Sequence, residues 1–267
     1  MTTENAPKSR MARDVELLWG LDSPPRRRGP KPRLSREVVV RAALDVADAE
    51  GIEAVSMQRV SKELGYTTMS LYRHVDSKED MLVLMLDAAM EGTPPGPRVD
   101  GDWRAGLEEW CHSVLELYRH RSWVVRVAFS GPPGGPNGLR WMEAGLRELV
   151  GSGLDVGEAL QMLMLLSAAL RESVRLETDM ADAARTTGNT LVEVERDYSR
   201  GLRRVVTEEE FPTIALMLHE QVLEPQPTAE TTEGVGEPTH ELDFGIRRIL
   251  DGIASYARDK GTTGDAD

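Results

Sequence analysis

Apolar residues recur at spacings of three and four along most of the chain, and no stretch sustains the strict alternation of a half-buried strand. Ser35 is a natural N-cap for a first helix carrying Val39, Ala43, Val46 and Ala47 at helical spacing, with Gly51 as its stop. Ser56 caps a second, short helix through Leu64 that turns Val60 and Leu64 inward. Gly65-Tyr66-Thr67 makes a tight connection, and Thr67 or Thr68 caps a third helix reaching about Val75. Ser77-Lys78-Glu79-Asp80 has the form of a capping box and opens a fourth helix over residues 81 to about 90.

Pro94-Pro95-Gly96-Pro97 breaks the chain. The pattern then predicts a helix over about 103–120, with Trp103, Leu107, Trp110, Val114 and Leu117 on one face. A short apolar segment at 123–129 and a Gly/Pro stretch at 131–138 lead to a helix near 139–150. Residues 155–178 read as a long helix, apolar nearly all round at 160–170, which must be buried on more than one side. Two helices fall within 190–223, the second opening near Phe211-Pro212. Residues about 224–240 are rich in Pro, Thr, Glu and Gly and read as a mobile acidic loop. An amphipathic helix at 241–259, with Phe244, Ile246, Ile249, Leu250 and Ile253, completes an all-α fold without repeats.

Composition narrows the setting. One cysteine in 267 residues excludes an intramolecular disulfide and multi-cysteine zinc sites. The polar N-terminus shows no signal peptide, and the longest apolar run, residues 81–86, falls far short of the ~20 residues of a membrane span. A cytoplasmic protein without membrane contact is expected. The net charge of −13 argues against nucleic acid until it is resolved along the chain. Residues 1–41 hold ten Lys and Arg against five acids, and residues 1–89 hold 14 of each, so the whole acidic surplus lies beyond residue 89. Such asymmetry suggests two jobs. Residues 1–33 end in Pro24-Pro25-Arg26-Arg27-Arg28-Gly29-Pro30-Lys31-Pro32-Arg33 and read as a flexible or extended basic arm, or else a solvated tail.

The segment 56–75 is helix, tight turn, helix. That arrangement lets the first helix cross a DNA backbone while the second enters the major groove, about 12 Å wide. Leu71 and Val75 stand four apart and face the core, whereas Thr67, Thr68, Ser70, Tyr72, Arg73 and His74 offer hydroxyls, a ring and cationic donors. Helical hairpins are common, so the pattern alone is a weak signal. Residues 35–90 also resemble the DNA-binding domain of the tetracycline-repressor-like (TetR) family of bacterial regulators. The likeness rests on residues 38–49, Gly51, Ser56, Val60 and Leu64-Gly65. Above all it rests on the run Leu71-Tyr72-Arg73-His74-Val75-Asp76-Ser77-Lys78-Glu79-Asp80-Met81-Leu82. Looser matches to the family's C-terminal domain lie at Tyr118-Arg119-His120-Arg121-Ser122-Trp123, Gly135-Pro136-Asn137, Phe211-Pro212 and 244–253.

The resemblance implies an arm over 1–33, a three-helix helix-turn-helix DNA-binding domain with its connecting helix over 34–90, and a larger helical ligand-binding and dimerisation domain over 91–267. It places Thr67, Thr68, Met69, Ser70, Tyr72, Arg73 and His74 on the recognition helix, with Lys78 as a backbone clamp. Ser56 would aim backbone N–H groups at a phosphate. Gln58 stands where the tetracycline repressor has a base-reading arginine and suits adenine, and Arg73 replaces an aromatic. Arg26, Arg27, Arg28 and Lys31 would enter the minor groove, as arms of some members do. The expected partners are therefore double-stranded operator DNA, a small-molecule effector and a second copy of the chain.

In the acidic part, Trp110, Tyr118, Trp123, Phe129, Trp141, Met142, Met162 and Leu166 are candidates for an effector lining, with Met164 and the polar His112, His120 and Arg171 nearby. Ordinary core is the alternative for each. Leu163, Leu170, Phe244, Ile249 and Ile253 are candidates for a dimer seam, with burial inside one subunit as the alternative. No cofactor is predicted, and no histidine and acid cluster supports a metal. No catalytic set stands out, and Cys111 within a Trp-rich helix reads as a buried thiol. The expected function is a homodimeric repressor of a palindromic operator, released by a hydrophobic effector. An activator of the same family, or a small-molecule-binding protein or enzyme without DNA function, are the alternatives.

Overall fold

The computed structural model describes residues 9–22, 33–128, 131–223 and 239–264, with side chains over 243–260 in the last stretch. Arg26, Arg27, Arg28, Lys31, Phe129 and most of the loop at 224–240 lie outside the described residues. Among the described residues the structure is helical without a strand. The helices are α1 (Arg10–Leu18), α2 (Arg36–Glu50), α3 (Met57–Leu64), α4 (Thr68–Leu71), α5 (Lys78–Ala89), α6 (Trp103–His120), α7 (Pro136–Gly151), α8 (Val156–Thr187), α9 (Leu191–Leu202), α10 (Pro212–His219) and α11 (Thr239–Gly264). Short 3-10 turns add Ile52–Ala54 and Ser122–Arg126. No helix among the described residues is long and apolar enough to cross a membrane.

The helix starts follow from side-chain caps. Ser35, Ser56, Thr67 and Ser77 each accept a backbone N–H three residues on, at 3.3, 3.1, 3.3 and 3.0 Å. Each cap satisfies a donor that the first turn leaves without an intrahelical partner.

Three expectations needed correction. Residues 10–18 form α1 rather than an extended arm. Ser9 caps it through Ala12 N at 3.3 Å, and Met11, Val15 and Leu18 give it an apolar stripe laid on α5. The third helix is short. α4 ends at Leu71, and Tyr72 to His74 continue as a turn closed by His74 N donating to Leu71 O at 2.8 Å. α8 runs on to Thr187, because residues 179–187 carry no glycine or proline to stop it.

The described residues divide into two compact units: residues up to 174 together with those from 245 on, and residues 175–244. In the first unit, α2 packs on α3 and α5, α5 on α7, and α6 on α7. Its interior holds Val39, Leu44, Val46, Val60, Leu71, Val75, Met81 and Met85 in the early helices, and Leu107, Val114, Leu149, Leu166, Leu170 and Leu250 later in the chain. Close helix approach comes from Gly145: a Cβ there would lie 2.5 Å from Leu163 Cδ1 and 3.0 Å from the Trp110 ring. In the second unit, Thr190 and Glu193 form a capping box at the start of α9, and Arg203 donates to Leu218 O at 2.7 Å.

Candidate nucleic-acid interface and its links to the effector domain

The reading head is built from α3, α4 and the turn between them. Gly65 sits at φ 72° and ψ 27°, a left-handed conformation that costs a side-chain-bearing residue, and so lets the chain turn sharply after α3. Buried Ser61 donates to Gln58 O at 2.9 Å and stands 3.3 Å from Thr68 Oγ1, which fixes α4 against α3. Thr67 and Ser70 share a hydroxyl contact of 2.9 Å. Leu71 and Val75 are buried, as their spacing predicts.

What remains accessible is polar, with one exception. Gln58, Thr67, Tyr72, Arg73 and Lys78 are exposed, and Ser56, Thr68, Ser70 and His74 are half-buried. Met69 is the exception, 72% exposed on α4. Arg59, by contrast, spends its charge inside the domain. It donates to Glu50 at 2.5 Å and Glu63 at 2.7 Å, and these bonds raise its pKa while the Arg59 bond lowers that of Glu50. The surface therefore offers cations, hydroxyls, an amide and one thioether: the groups that meet phosphates, base edges and thymine methyls.

Behind the head, three polar links tie these helices to those beyond residue 90. Asp48 on α2 accepts the Trp123 indole N–H at 2.6 Å and Arg121 Nε at 3.2 Å. Asp87 on α5 accepts Asn137 N at 3.1 Å and Gly138 N at 2.9 Å, so it caps α7, whose own N-cap Gly135 has no side chain to do so. Trp141 on α7 donates to Met90 O at 3.0 Å. α5 is thus bonded at its far end to the helix that follows the glycine-rich loop.

The same links run among the residues expected to line the effector site. Trp110, Tyr118, Trp123, Trp141 and Leu166 are buried, and Met142 and Met162 half-buried. Trp110 donates its indole N–H to Trp141 O at 2.9 Å, which ties α6 to α7. Burial pushes the Tyr118 hydroxyl pKa up and that of the Cys111 thiol to about 12. Arg171 donates to Val125 O at 2.9 Å and to Val127 O, which pins the 3-10 turn to α8. A cleft of about 810 Å³ is lined by Ala89, Glu91, Gly92, Thr93, Ser113, Glu116, Leu117, His120, Arg121 and Trp141. Of the residues expected at the effector site, Trp141 and the polar candidate His120 reach it. Leu163, Leu170 and Ile253, expected at a dimer seam, are interior, whereas Phe244 is exposed and Ile249 half-buried. Asp48, Asp87, Trp19 and Arg36 escaped the sequence reading, because their partners lie far away in the chain.

A capped helix-turn-helix with exposed polar and cationic groups, bonded to the helices beyond it, is the framework of a one-chain DNA-binding regulator. The chain belongs to the TetR family: the description "Bacterial regulatory proteins, tetR family" matches residues 39–85, and "Tetracyclin repressor-like, C-terminal domain" matches residues 95–256. The transcriptional repressor DrrR1 of Streptomyces coeruleorubidus is 35% identical over 253 residues, covering 94% of this chain and 88% of that protein. The class A tetracycline repressor of Escherichia coli is 30% identical over 137 residues, 51% of this chain and 63% of that protein. Among solved structures, apo ActR of Streptomyces coelicolor superposes with a TM-score of 0.70 at 23% identity, covering 86% of this chain and 100% of that chain. ActR in complex with actinorhodin gives 0.66 at 26%, covering 84% and 96%.

Proposed function

We propose that the chain is a homodimeric repressor that holds a palindromic operator through residues 34–90 and releases it when a small hydrophobic effector binds within residues 91–267. The observation that carries this reading is the exposed set Gln58, Thr67, Met69, Tyr72, Arg73 and Lys78 on a head bonded to the effector domain through Asp48 and Asp87. Ser56, Thr68, Ser70 and His74 complete the contacts, and Arg26, Arg27, Arg28 and Lys31 extend them into the minor groove. Repression accords with the description of DrrR1, and a small-molecule effector accords with ActR having been solved in complex with actinorhodin. The cleft that Trp141 borders, between Ala89 and Arg121, is the opening for the effector. A ligand there acts on Met90 O and so on the end of α5. A 100-fold loss of operator affinity needs only about 2.7 kcal/mol of such coupling. The site of action is DNA in the cytoplasm.

The dimer seam falls on the outward stripe of α8. Val156, Leu160 and Met164 are 68%, 38% and 45% exposed. Exposed Phe244 and half-buried Ile249 on α11 add to it.

Selection of DNA from a genomic fragment pool, followed by gel shift, tests the reading. The parent chain retains a palindromic fragment. Arg73→Ala weakens that complex by about 1–3 kcal/mol if Arg73 reads a base. Actinorhodin, used as a probe, raises the melting temperature if it binds only the native state. Retention of no fragment overturns the reading.

A further inference from the structure

The N-terminal helix has a place in the fold that the function above does not use. It buries no residue completely. Yet it crosses α5 and reaches the loop before α7, where glycines let it come close. A Cβ at Gly131 would lie 2.6 Å from Met11 Cε, and one at Gly134 would lie 2.8 Å from Val15 Cγ2. Trp19, just past the helix, donates its indole N–H to Gly134 O at 2.9 Å. From the same C-terminal end the segment grips the reading head through Arg36, the first residue of α2. Arg36 donates to Leu17 O at 3.2 Å, to both carboxylate oxygens of Asp22 at 3.0 and 2.6 Å, and through Nε to His74 O at 3.2 Å. His74 closes the recognition turn, so one guanidinium joins that turn to the N-terminal segment. The fork is a geometry that only arginine supplies.

We propose that residues 10–22 form a strap by which the loop at 131–135 positions the recognition turn, with Arg36 as the positioning residue. The path runs from Gly134 through Trp19 and the turn after α1 to Asp22, Arg36 and His74. Movement of the loop at the start of α7 slackens the strap and frees the C-terminal end of the reading segment. The strap suits this task because it is held by a few polar bonds and a half-exposed apolar stripe, so it is the first part to open. The proposal rests on the DNA-binding reading above for its effect on affinity, and not for its structural content.

The test uses the full chain and three variants that leave the reading surface intact: Trp19→Phe, which removes only the N–H donor, Asp22→Asn and Arg36→Lys. Each is measured for affinity to the fragment selected by the parent chain, at several salt concentrations, and for amide exchange over residues 66–76. Each variant is expected to lose about fivefold or more in affinity and to exchange faster over that segment. Asp22→Asn is the sharpest arm. Removing a negative charge favours DNA by itself, so a loss has the opposite sign to simple electrostatics. Trp19→Phe keeps the salt slope of the parent, since it contributes no phosphate contact. Parent affinity together with parent exchange in Trp19→Phe and Asp22→Asn overturns the strap. If the parent chain retains no fragment, the regulator reading fails and the exchange measurement alone decides this one.

Discussion

Trp123 is 5% exposed, and its indole N–H has one acceptor, Asp48, 75 residues earlier in the chain. A buried donor without a partner costs more than a bond adds. Asp48→Ala is therefore expected to destabilise the fold by about 1–3 kcal/mol, read as a lower urea midpoint at unchanged slope. Trp123→Phe in the same background should recover part of that loss, because the orphaned donor is gone, and a double-mutant cycle measures the coupling. Cys111 offers a second check at this scale. Burial, assisted by Glu108, raises its pKa from 9.0 to about 12, so thiolate is scarcer in the native chain at any neutral pH. An aromatic disulfide reagent at pH 8 should react about 1,000-fold more slowly with the native than with the unfolded chain. Equal rates would place the thiol at the surface. The sequence made the tryptophans and Cys111 legible as apolar and buried. It did not reveal that the indoles donate to the Trp141 and Met90 carbonyls and to Asp48 on α2, since a lone aspartate on an exposed helix face carries no mark of a distant partner.

Among the elements, α7 shows most plainly how one helix depends on another. Its N-cap is Gly135, and the orphan N–H groups of its first turn go to Asp87 on α5. Asp87→Ala removes that cap and is expected to cost about 0.5–2 kcal/mol. Asp87→Asn keeps one acceptor and should cost less. Both are measured by thermal unfolding, together with exchange at the amides of Asn137 and Gly138, which should lose protection first. Unchanged protection in Asp87→Ala would show that the cap contributes nothing. The caps Ser35, Ser56, Thr67 and Ser77 were all legible, because each bond is local and spans three residues. α1 was not read, although Ser9 and the spacing of Met11, Val15 and Leu18 signal a helix. The Pro- and Arg-rich end of the first 33 residues dominated their composition and hid the nine-residue helix ahead of it. The shortness of α4 was also hidden, since Tyr72 to His74 keep helical composition while the Leu71 carbonyl accepts from both His74 N and Val75 N.

For the whole molecule, the question is how a chain of net charge −13 presents itself to DNA and to its own copy. Residues 1–89 are neutral overall, and within them Arg59 and Arg36 are neutralised by Glu50, Glu63 and Asp22. Arg73 and Lys78 stay exposed, and in the proposed complex they meet the phosphates while the acidic remainder repels them. A single head makes a small contact, and two heads about one helical turn apart multiply it. That arrangement needs a seam. The outward stripe of α8 supplies apolar surface at i, i+4 spacing over Val156, Leu160 and Met164, while Ala159, Leu163, Leu166 and Leu170 hold the adjoining side in the interior. The start of α8 is fixed beside α11 by Lys260 and Tyr256, each donating to Glu158 at 2.6 Å, so the proposed seam would draw on both helices. Met164→Glu places an unpaired charge in that seam and alters a side chain that is already 45% exposed, so the monomer fold should persist. Sedimentation equilibrium should show the parent as a dimer and the variant as a monomer with the same helical circular dichroism. Its operator affinity should fall at least 100-fold, the loss of one of two tethered half-site contacts. A Met164→Glu chain that stays dimeric would move the seam away from this face of α8.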